Sequence, residues 1–383
     1  MKLALVHDWL DTWGGAESVL VELRTLFPDA PLYTLVDFLD PDARARLGPA
    51  PIHASLVQSL PRARWHFRNY LPVFPSAMRR FDLSEYDVIL SNSHAIAKFA
   101  RTKITQLHLC YCHTPMRYAW DLREQYLTQT RLGRGPAGAL VRALLGRLRR
   151  QDLESNNRVD RFVANSRYIA DRIRRCYGRD SDVIYPPVDT ERFVPGAARG
   201  DYYLTVSRLV PYKRVDAIVA AFARMGSKRL VVAGGGPGLA ALRAQAPPNV
   251  EIVGHVAAPE LLQLMQRARA FLFAAEEDFG IAPLEAQACG IPVIALARGG
   301  VAETISAGSS GTGVFFAEAT AEAIIDAVAL FEGGPHISAD ACRSNALRFG
   351  QARFRDEFRA YVDAQWSIRR VATASALRMP SPA

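Results

Sequence analysis

The sequence predicts two doubly wound α/β domains facing a central cleft. Short apolar runs alternate with stretches of helical apolar spacing along most of the chain. A length of 383 residues exceeds one ordinary hydrophobic core. Between the two series lies a break rich in proline, from Pro186-Pro187 to Pro195-Gly196. These observations divide the chain into residues 1–187 and 188–350, with a terminal amphipathic helix at 351–367 and a loose tail at 368–383.

In the first series, Leu3–Val6 reads as a buried strand and Ala16–Phe27 as a helix with Val19, Leu20, Leu23 and Leu26 on one stripe. Gly14-Gly15 joins them. This turn is either a plain strand-to-helix connection or a place where backbone approaches a phosphate closely. It is not a full dinucleotide fingerprint. Tyr86–Ser91, Thr105–Tyr111 and Phe162–Ala164 are further strands, with Ser166 capping a helix over 167–176. His113 falls just past a strand's carboxyl end, the side on which open α/β sheets bind ligands. A lone histidine there is either structural or a ligand contact.

The second series begins at Tyr202–Val206. Its exit loop carries Arg208 and Lys213, and a helix follows over 215–223. Two cations at a strand end can neutralise a diphosphate without a metal. Leu230–Ala233 ends in Gly-Gly-Gly-Pro-Gly, and Val250–Val253 in Gly254-His255. The stretch from Phe271 to Gly300 organises the rest. Phe271–Ala274 is a strand, Glu276-Glu277-Asp278 an acidic loop, and Ile291–Leu296 another strand. A short helix lies between, with Pro283 at its start, Glu285 in its first turn and Gly290 at its end. N–H groups near Phe279, Gly280 and Ile281 offer a phosphate seat, and Glu277 and Glu285 suit sugar or ribose hydroxyls. Alone, this could equally be an exposed acidic loop and a carboxylate that complements the helix dipole.

Composition narrows the classes. Hydrophobic residues make up 49% and charged residues 22%, as in soluble globular chains. No apolar run reaches a membrane span, and the first residues lack a signal-peptide layout. Five scattered cysteines predict reduced thiols, and Cys110 and Cys112 share one side of a strand. The net charge of +9 lies wholly in residues 1–180, which hold 27 Lys/Arg against 18 Asp/Glu. An anionic partner is expected there. Arg62, Arg64, Trp65 and Arg68 interleave base and aromatic. Residues 131–150 form a basic helix with Leu140, Leu144 and Leu148 in one stripe and Arg142 and Arg149 around it. Either element fits an anionic membrane surface, an acceptor groove or a solvated helix face. DNA or RNA would require a recognition module, and none is present. The pairs Asp40/Asp42 and Asp180/Asp182 sit in turn-like contexts, so no metal site is expected.

Trp13–Glu17 (WGGAE), 207–216 (SRLVPYKRVD), 234–238 (GGGPG) and 277–285 (EDFGIAPLE) together resemble the family 4 retaining glycosyltransferases of the GT-B fold. VHDWL, CYCHTPMRYAWD, NRVDRFVANSRYIA and VIYPPVD look like the mannosyltransferases of bacterial O-antigen and capsule assembly, the WbaZ-like group. The resemblance implies GDP-mannose as donor, a polyprenyl-diphosphate-linked saccharide as acceptor, no metal, and a cytoplasmic site on the inner face of the cytoplasmic membrane. It implies that Arg208 and Lys213 clamp the diphosphate and that Glu285 holds the ribose. Glu277 would orient the transferred sugar, and His113 would contact that sugar from the other domain. Gly14 and Gly15 would approach the diphosphate or the reacting centre, and Val253 and His255 would border the base. Two departures stand out. Pro186-Pro187 replaces the family's usual Asn-Gly, and Gly235 replaces its usual acid. A UDP-sugar such as UDP-glucose, or a non-catalytic nucleotide-sugar-binding role, are the alternatives.

Overall fold

A computed structural model describes residues 1–120, 135–308 and 311–378. The chain forms two compact units, one of residues 1–185 with 354–383 and one of residues 186–353.

The first unit is built on a seven-stranded parallel sheet. Its strands are β1 (Leu3–His7), β2 (Leu32–Thr34), β3 (Ile52–Ala54), β4 (Val88–Ser93), β5 (Leu107–Cys112), β6 (Arg161–Ala164) and β7 (Ser181–Val183). Their order is β3-β2-β1-β4-β5-β6-β7. Strands β1, β4 and β5 are buried along their whole length, which suits the apolar run of β1 and the VIL that opens β4, while Ser91, Asn92, Ser93 and His108 are buried polar residues. Successive side chains of β1 serve opposite faces. Leu3 and Leu5 join Val19, Leu20 and Leu23 of helix Gly15–Leu26. Ala4 and Val6 face Phe67, Phe74, Met78 and Phe99. Cys110 and Cys112 share one side of β5, as the sequence suggests, packed with Phe162, Ile169 and Ile173. All five cysteines are free.

The terminal helix, Gln351–Arg378, packs into this unit. Phe354 and Phe358 stand edge-on to Tyr111, with ring centroids 6.0 and 5.8 Å away. Arg355 pairs with Glu22 at 2.6 Å, and Tyr361 donates to Asp182 at 2.8 Å. Phe358 is fully buried, so Phe358→Ala is expected to cost about 3–5 kcal/mol. Urea denaturation monitored by Trp fluorescence reads that loss. The helix does not stop at 367 but runs to Arg378, so residues 368–378 are not a loose tail. Residues 379–383 lie outside the described residues.

The second unit carries a six-stranded parallel sheet. It comprises β8 (Tyr202–Val206), β9 (Arg229–Ala233), β10 (Val250–Gly254), β11 (Ala270–Phe273), β12 (Val293–Leu296) and β13 (Gly313–Phe316). The order β10-β9-β8-β11-β12-β13 repeats that of the first six strands of unit one. In both units the connection direction reverses between the first and fourth strands. Crevices at strand carboxyl ends open at such a switch point. The fold therefore singles out the exits of β1 and β4, and those of β8 and β11.

Sequence periodicity does not register β2, β3, β7 or β13. Ser181–Val183 is an edge strand, with Phe162 opposite Ser181. Asp40 accepts from Ala43 N at 2.8 Å as a helix cap. Asp180 pairs with Arg174, and Asp182 is held by Tyr361.

Candidate functional site

In the second unit, β8 leads into Ser207–Val210, a short 3₁₀ turn at Pro211–Lys213 and the helix Val215–Ala223. This loop is fixed by the glycine run after β9. Leu209 N donates to Gly235 O at 2.8 Å, and Gly238 N donates to Leu209 O at 3.0 Å. Gly234 has a φ of +134°, and a Cβ there would lie 1.8 Å from Ser207 O. Only glycine admits that contact. The run therefore braces the cation-bearing loop. At Gly235, where the family resemblance anticipates an acid, a backbone carbonyl takes part in the bracing.

Lys213 forms an ion pair with Glu277, which follows β11. Both side chains are largely buried, whereas Arg208 is exposed. The acidic loop is braced in turn by the turn after β12. Gly300 N donates to Glu277 O at 2.8 Å, and a Cβ on Gly299 (φ +79°) would lie 2.4 Å from that same oxygen. Gly280 caps the next helix in the left-handed conformation, and the helix spans Ile281–Ala288. Glu285 is thus its fifth residue, in the second turn rather than the first. Burial raises the Glu285 pKa to about 7, with Arg192 opposing and Asp189 adding to the rise. At neutral pH this carboxyl can either accept or donate a hydrogen bond. Val253, next to last in β10, accepts from Arg243 at 3.2 Å, and His255 is exposed beyond Gly254. Arg208, Lys213, Glu277, Gly280, Ile281, Glu285, Val253 and His255 thus all lie at or beyond the carboxyl ends of this one sheet.

The first unit presents a buried polar cluster at the exits of β1, β4 and β5. His113 follows β5, and its Nε2 lies 2.6 Å from Asn92 Oδ1. Asn92 Nδ2 donates to Ala16 O at 2.9 Å and approaches His7 Nδ1 at 3.1 Å. His7 Nε2 meets Glu17 Oε1 at 3.3 Å. Gly14 caps the helix that carries Glu17, and a Cβ on Gly14 would meet Glu17 Oε2 at 3.2 Å. Burial, followed by the His94 and His7 charges, lowers the His113 pKa to about 3. Its imidazole is therefore neutral at working pH.

Asp8 accepts the backbone N–H groups of His94, Ala95, Ile96 and Ala97, and its Oδ2 lies 2.9 Å from His94 Nδ1. Burial opposes the Asp8 anion. The adjoining His94 and then His7 outweigh that penalty and hold its pKa well below the carboxylate range. His113 and the Gly14-Gly15 turn were legible in the sequence; His7, Asp8, Glu17, Asn92 and His94 were not singled out. Their signal was polar residues set directly after apolar runs, His7-Asp8 after LALV and Ser91-Asn92 after VIL.

Of the basic-aromatic stretch, Arg62, Arg64 and Trp65 are exposed, Trp65 by 74%. Arg68 is instead paired with Asp11 at 2.6 Å and lies over the Phe67 ring. The helix Gly135–Ser155 turns Leu145 and Leu148 inward, while Leu140 and Leu144 are exposed. The apolar stripe of Leu140, Leu144 and Leu148 is therefore split between solvent and core. Arg142 is exposed, and Arg149 lies over the Trp120 ring at 4.1 Å. Residues 131–134 of the basic stretch lie outside the described residues. No helix among the described residues is long and apolar enough to cross a membrane.

Two family models match this chain: Glycosyltransferase Family 4 over residues 13–192 and Glycosyl transferases group 1 over residues 188–349. A D-inositol 3-phosphate glycosyltransferase of Mycobacterium avium is 35% identical over 178 residues, covering 40% of this chain and 42% of the relative. A GDP-mannose-dependent alpha-(1-6)-phosphatidylinositol monomannoside mannosyltransferase of Mycolicibacterium smegmatis is 30% identical over 188 residues, covering 41% of this chain and 49% of the relative. The matched stretch thus spans under half the length of these relatives. Among solved structures, Anabaena Alr3699/HepE in complex with UDP and glucose superposes with a TM-score of 0.70 at 19% identity, over 95% of this chain and 99% of that one. The sucrose-phosphate synthase of Thermosynechococcus elongatus superposes with a TM-score of 0.71 at 17% identity, over 96% and 100%.

Two parallel doubly wound units of matching strand order, with a terminal helix returned to the first, define the GT-B class. The family models then place the chain within that class: it belongs to the family 4 glycosyltransferases.

Proposed function

We propose that this chain transfers mannose from GDP-mannose to a lipid-linked oligosaccharide in surface-polysaccharide assembly, retaining the α configuration and using no metal. The observation that carries the reading is the grouping at the switch point of the second unit. There a braced loop holds Arg208 and Lys213, Lys213 pairs with Glu277, and the helix Ile281–Ala288 begins directly after. As the bond from the anomeric carbon to phosphate breaks, negative charge develops on the departing GDP. Arg208, Lys213 and the first N–H groups of the helix stabilise that charge. The acceptor oxygen bonds to the anomeric carbon, and its proton passes to the departing phosphate oxygen. Glu277 orients the sugar and Glu285 accepts the ribose hydroxyls. Val253 and His255 border the base. By the family resemblance, His113 and the Gly14-Gly15 turn are sugar contacts as well.

The GDP-mannose assignment draws support from the mycolicibacterial relative's donor. Exposed Trp65, Leu140 and Leu144 beside Arg62, Arg64 and Arg142 favour peripheral docking on an anionic inner-membrane surface. A UDP-sugar donor is the second reading, favoured by the UDP-glucose complex of the Anabaena structure.

Thermal-shift titration of GDP-mannose against UDP-glucose, with and without EDTA, tests the donor. GDP-mannose is expected to stabilise the protein at lower concentration in both buffers. A UDP-sugar that ranks first overturns the donor assignment, and turnover lost in EDTA but restored by manganese overturns the metal-free clamp. A pH series adds a sharper check. Glu285 titrates near pH 7, so its ionised, accepting form declines as pH falls from 8 to 6. The donor KM is expected to rise over that range, and Glu285→Gln is expected to hold it high and level.

A further inference from the structure

We infer that Asn92 is the positioning residue for His113, fixing it as a neutral imidazole with its proton on Nε2 and tying it to the Gly14-Gly15 turn. The inference rests on the glycosyl-transfer reading only for its effect on turnover. The geometry stands without it. A carboxamide oxygen only accepts, so the 2.6 Å contact between His113 Nε2 and Asn92 Oδ1 requires the proton on Nε2. The Asn92 amide cannot rotate end for end without loss. Its Nδ2 is committed to Ala16 O at 2.9 Å, and a flipped amide would set oxygen against that carbonyl. Both Asn92 and His113 are buried, so water does not readily replace either bond.

The bond to Ala16 fastens Asn92 to the helix Gly15–Leu26 in its first turn. His7 extends the chain to Glu17 at 3.3 Å on that same turn. Three strand exits and one helix start are thus joined by buried polar contacts, and the two features named from sequence, His113 and the Gly-Gly turn, are held in one register. Near neutrality such a network serves a hydrogen-bonding imidazole rather than a proton carrier. The groups that face His113 are His94 beyond β4, His7 and Asp8 at the end of β1, and Glu17 on the helix. The imidazoles disfavour its cation and the two carboxylates favour it. Asn92 is the uncharged member between them, and placing an anion there would change the balance.

The decisive experiment combines imidazole ¹⁵N NMR on full-length protein with turnover of GDP-mannose. The His113 signals are assigned by their loss in His113→Gln. In wild type, the Nε2–H tautomer is expected from pH 5 to pH 8 without titration. Asn92→Asp keeps an acceptor at that position but adds charge, and His113 is expected to begin titrating inside that window. Turnover is expected to fall about 10- to 100-fold with donor KM within about twofold, as when a group that orients a substrate-contacting side chain is lost. A wild-type His113 that carries its proton on Nδ1, or that titrates within this range, overturns the inference and requires no variant to fold. So does a folded Asn92→Asp protein whose His113 spectrum and turnover match wild type. If GDP-mannose fails to bind while the tautomer is as expected, the donor assignment falls and this inference stands.

Discussion

Alanine at Arg208 or at Lys213 lowers turnover about 100- to 1,000-fold, the usual cost of losing one preorganised group aimed at developing charge. The effect falls mainly on kcat, because the charge on the departing nucleotide diphosphate grows as the glycosidic bond breaks. The two positions respond differently to conservative exchange. Arg208 is exposed and can present a planar fork to two phosphate oxygens, so Arg208→Lys keeps the charge but loses the paired geometry and recovers only part of the rate. Lys213 is largely buried against Glu277, and its removal also leaves that carboxylate with less compensation. Lys213→Ala is therefore expected to weaken donor binding as well. If both cations grip the same diphosphate, the double alanine variant loses less than the product of the single losses. Steady-state kinetics on the best donor from the thermal-shift series reads all four variants. Wild-type kcat with an unchanged donor KM in either single alanine variant removes that side chain from the clamp.

What made this clamp legible was its local sequence. The strand β8, the Arg208–Lys213 loop and the helix Val215–Ala223 follow one another within a short span, and each has its own period or turn signal. Strand exits in a parallel sheet gather on one side, so a cation or carboxylate just past an apolar run is already placed. The edges were less legible. β3 and β7 are three residues long, half-exposed and mixed in composition, and their pairing comes from neighbours distant in sequence. Pro283 as a first-turn signal puts Glu285 in the first turn of the helix. The structure begins the helix at Ile281, after a left-handed Gly280. The inward face of the basic helix is not legible for a related reason. Leu140, Leu144 and Leu148 do fall in one stripe, but the core takes Leu145 and Leu148 and leaves the other two outside. Periodicity shows which residues share a face but not which face finds a partner. The polar cluster of unit one was hidden because buried histidine, aspartate and asparagine at strand ends look like loop residues until their partners are known.

That cluster leads to the second large effect. Asp8→Ala is expected to destabilise the protein by about 3–5 kcal/mol, the range for removing one partner of a buried ion pair. Asp8 is fully buried, and besides His94 it accepts the N–H groups of four consecutive residues, His94 to Ala97. Alanine leaves those donors without an acceptor in a site where water does not readily enter, while the His94 imidazole loses its counter-charge. The direction of the two pKa shifts sets the pH window. The Asp8 value is depressed below its ordinary 3.8, so its contribution is fully present above that pH and fades as pH falls through the lower folded value. At His94, burial disfavours the cation, but Asp8, with Glu17 and Asp11 beyond it, outweighs burial and raises the value above 6.5. Its contribution is fully present below 6.5 and fades as pH rises through the raised value. These are one ion pair seen from both partners, so the stability gap between wild type and Asp8→Ala is widest between pH 3.8 and 6.5 and narrows on either side. His94 retains partial solvent contact, so the narrowing on the alkaline side is the gentler of the two. Urea denaturation at several pH values measures the gap directly. A gap under about 1 kcal/mol, or one that stays level across the series, would show that the N–H groups beyond β4 find other acceptors and that Asp8 does not hold this loop in place.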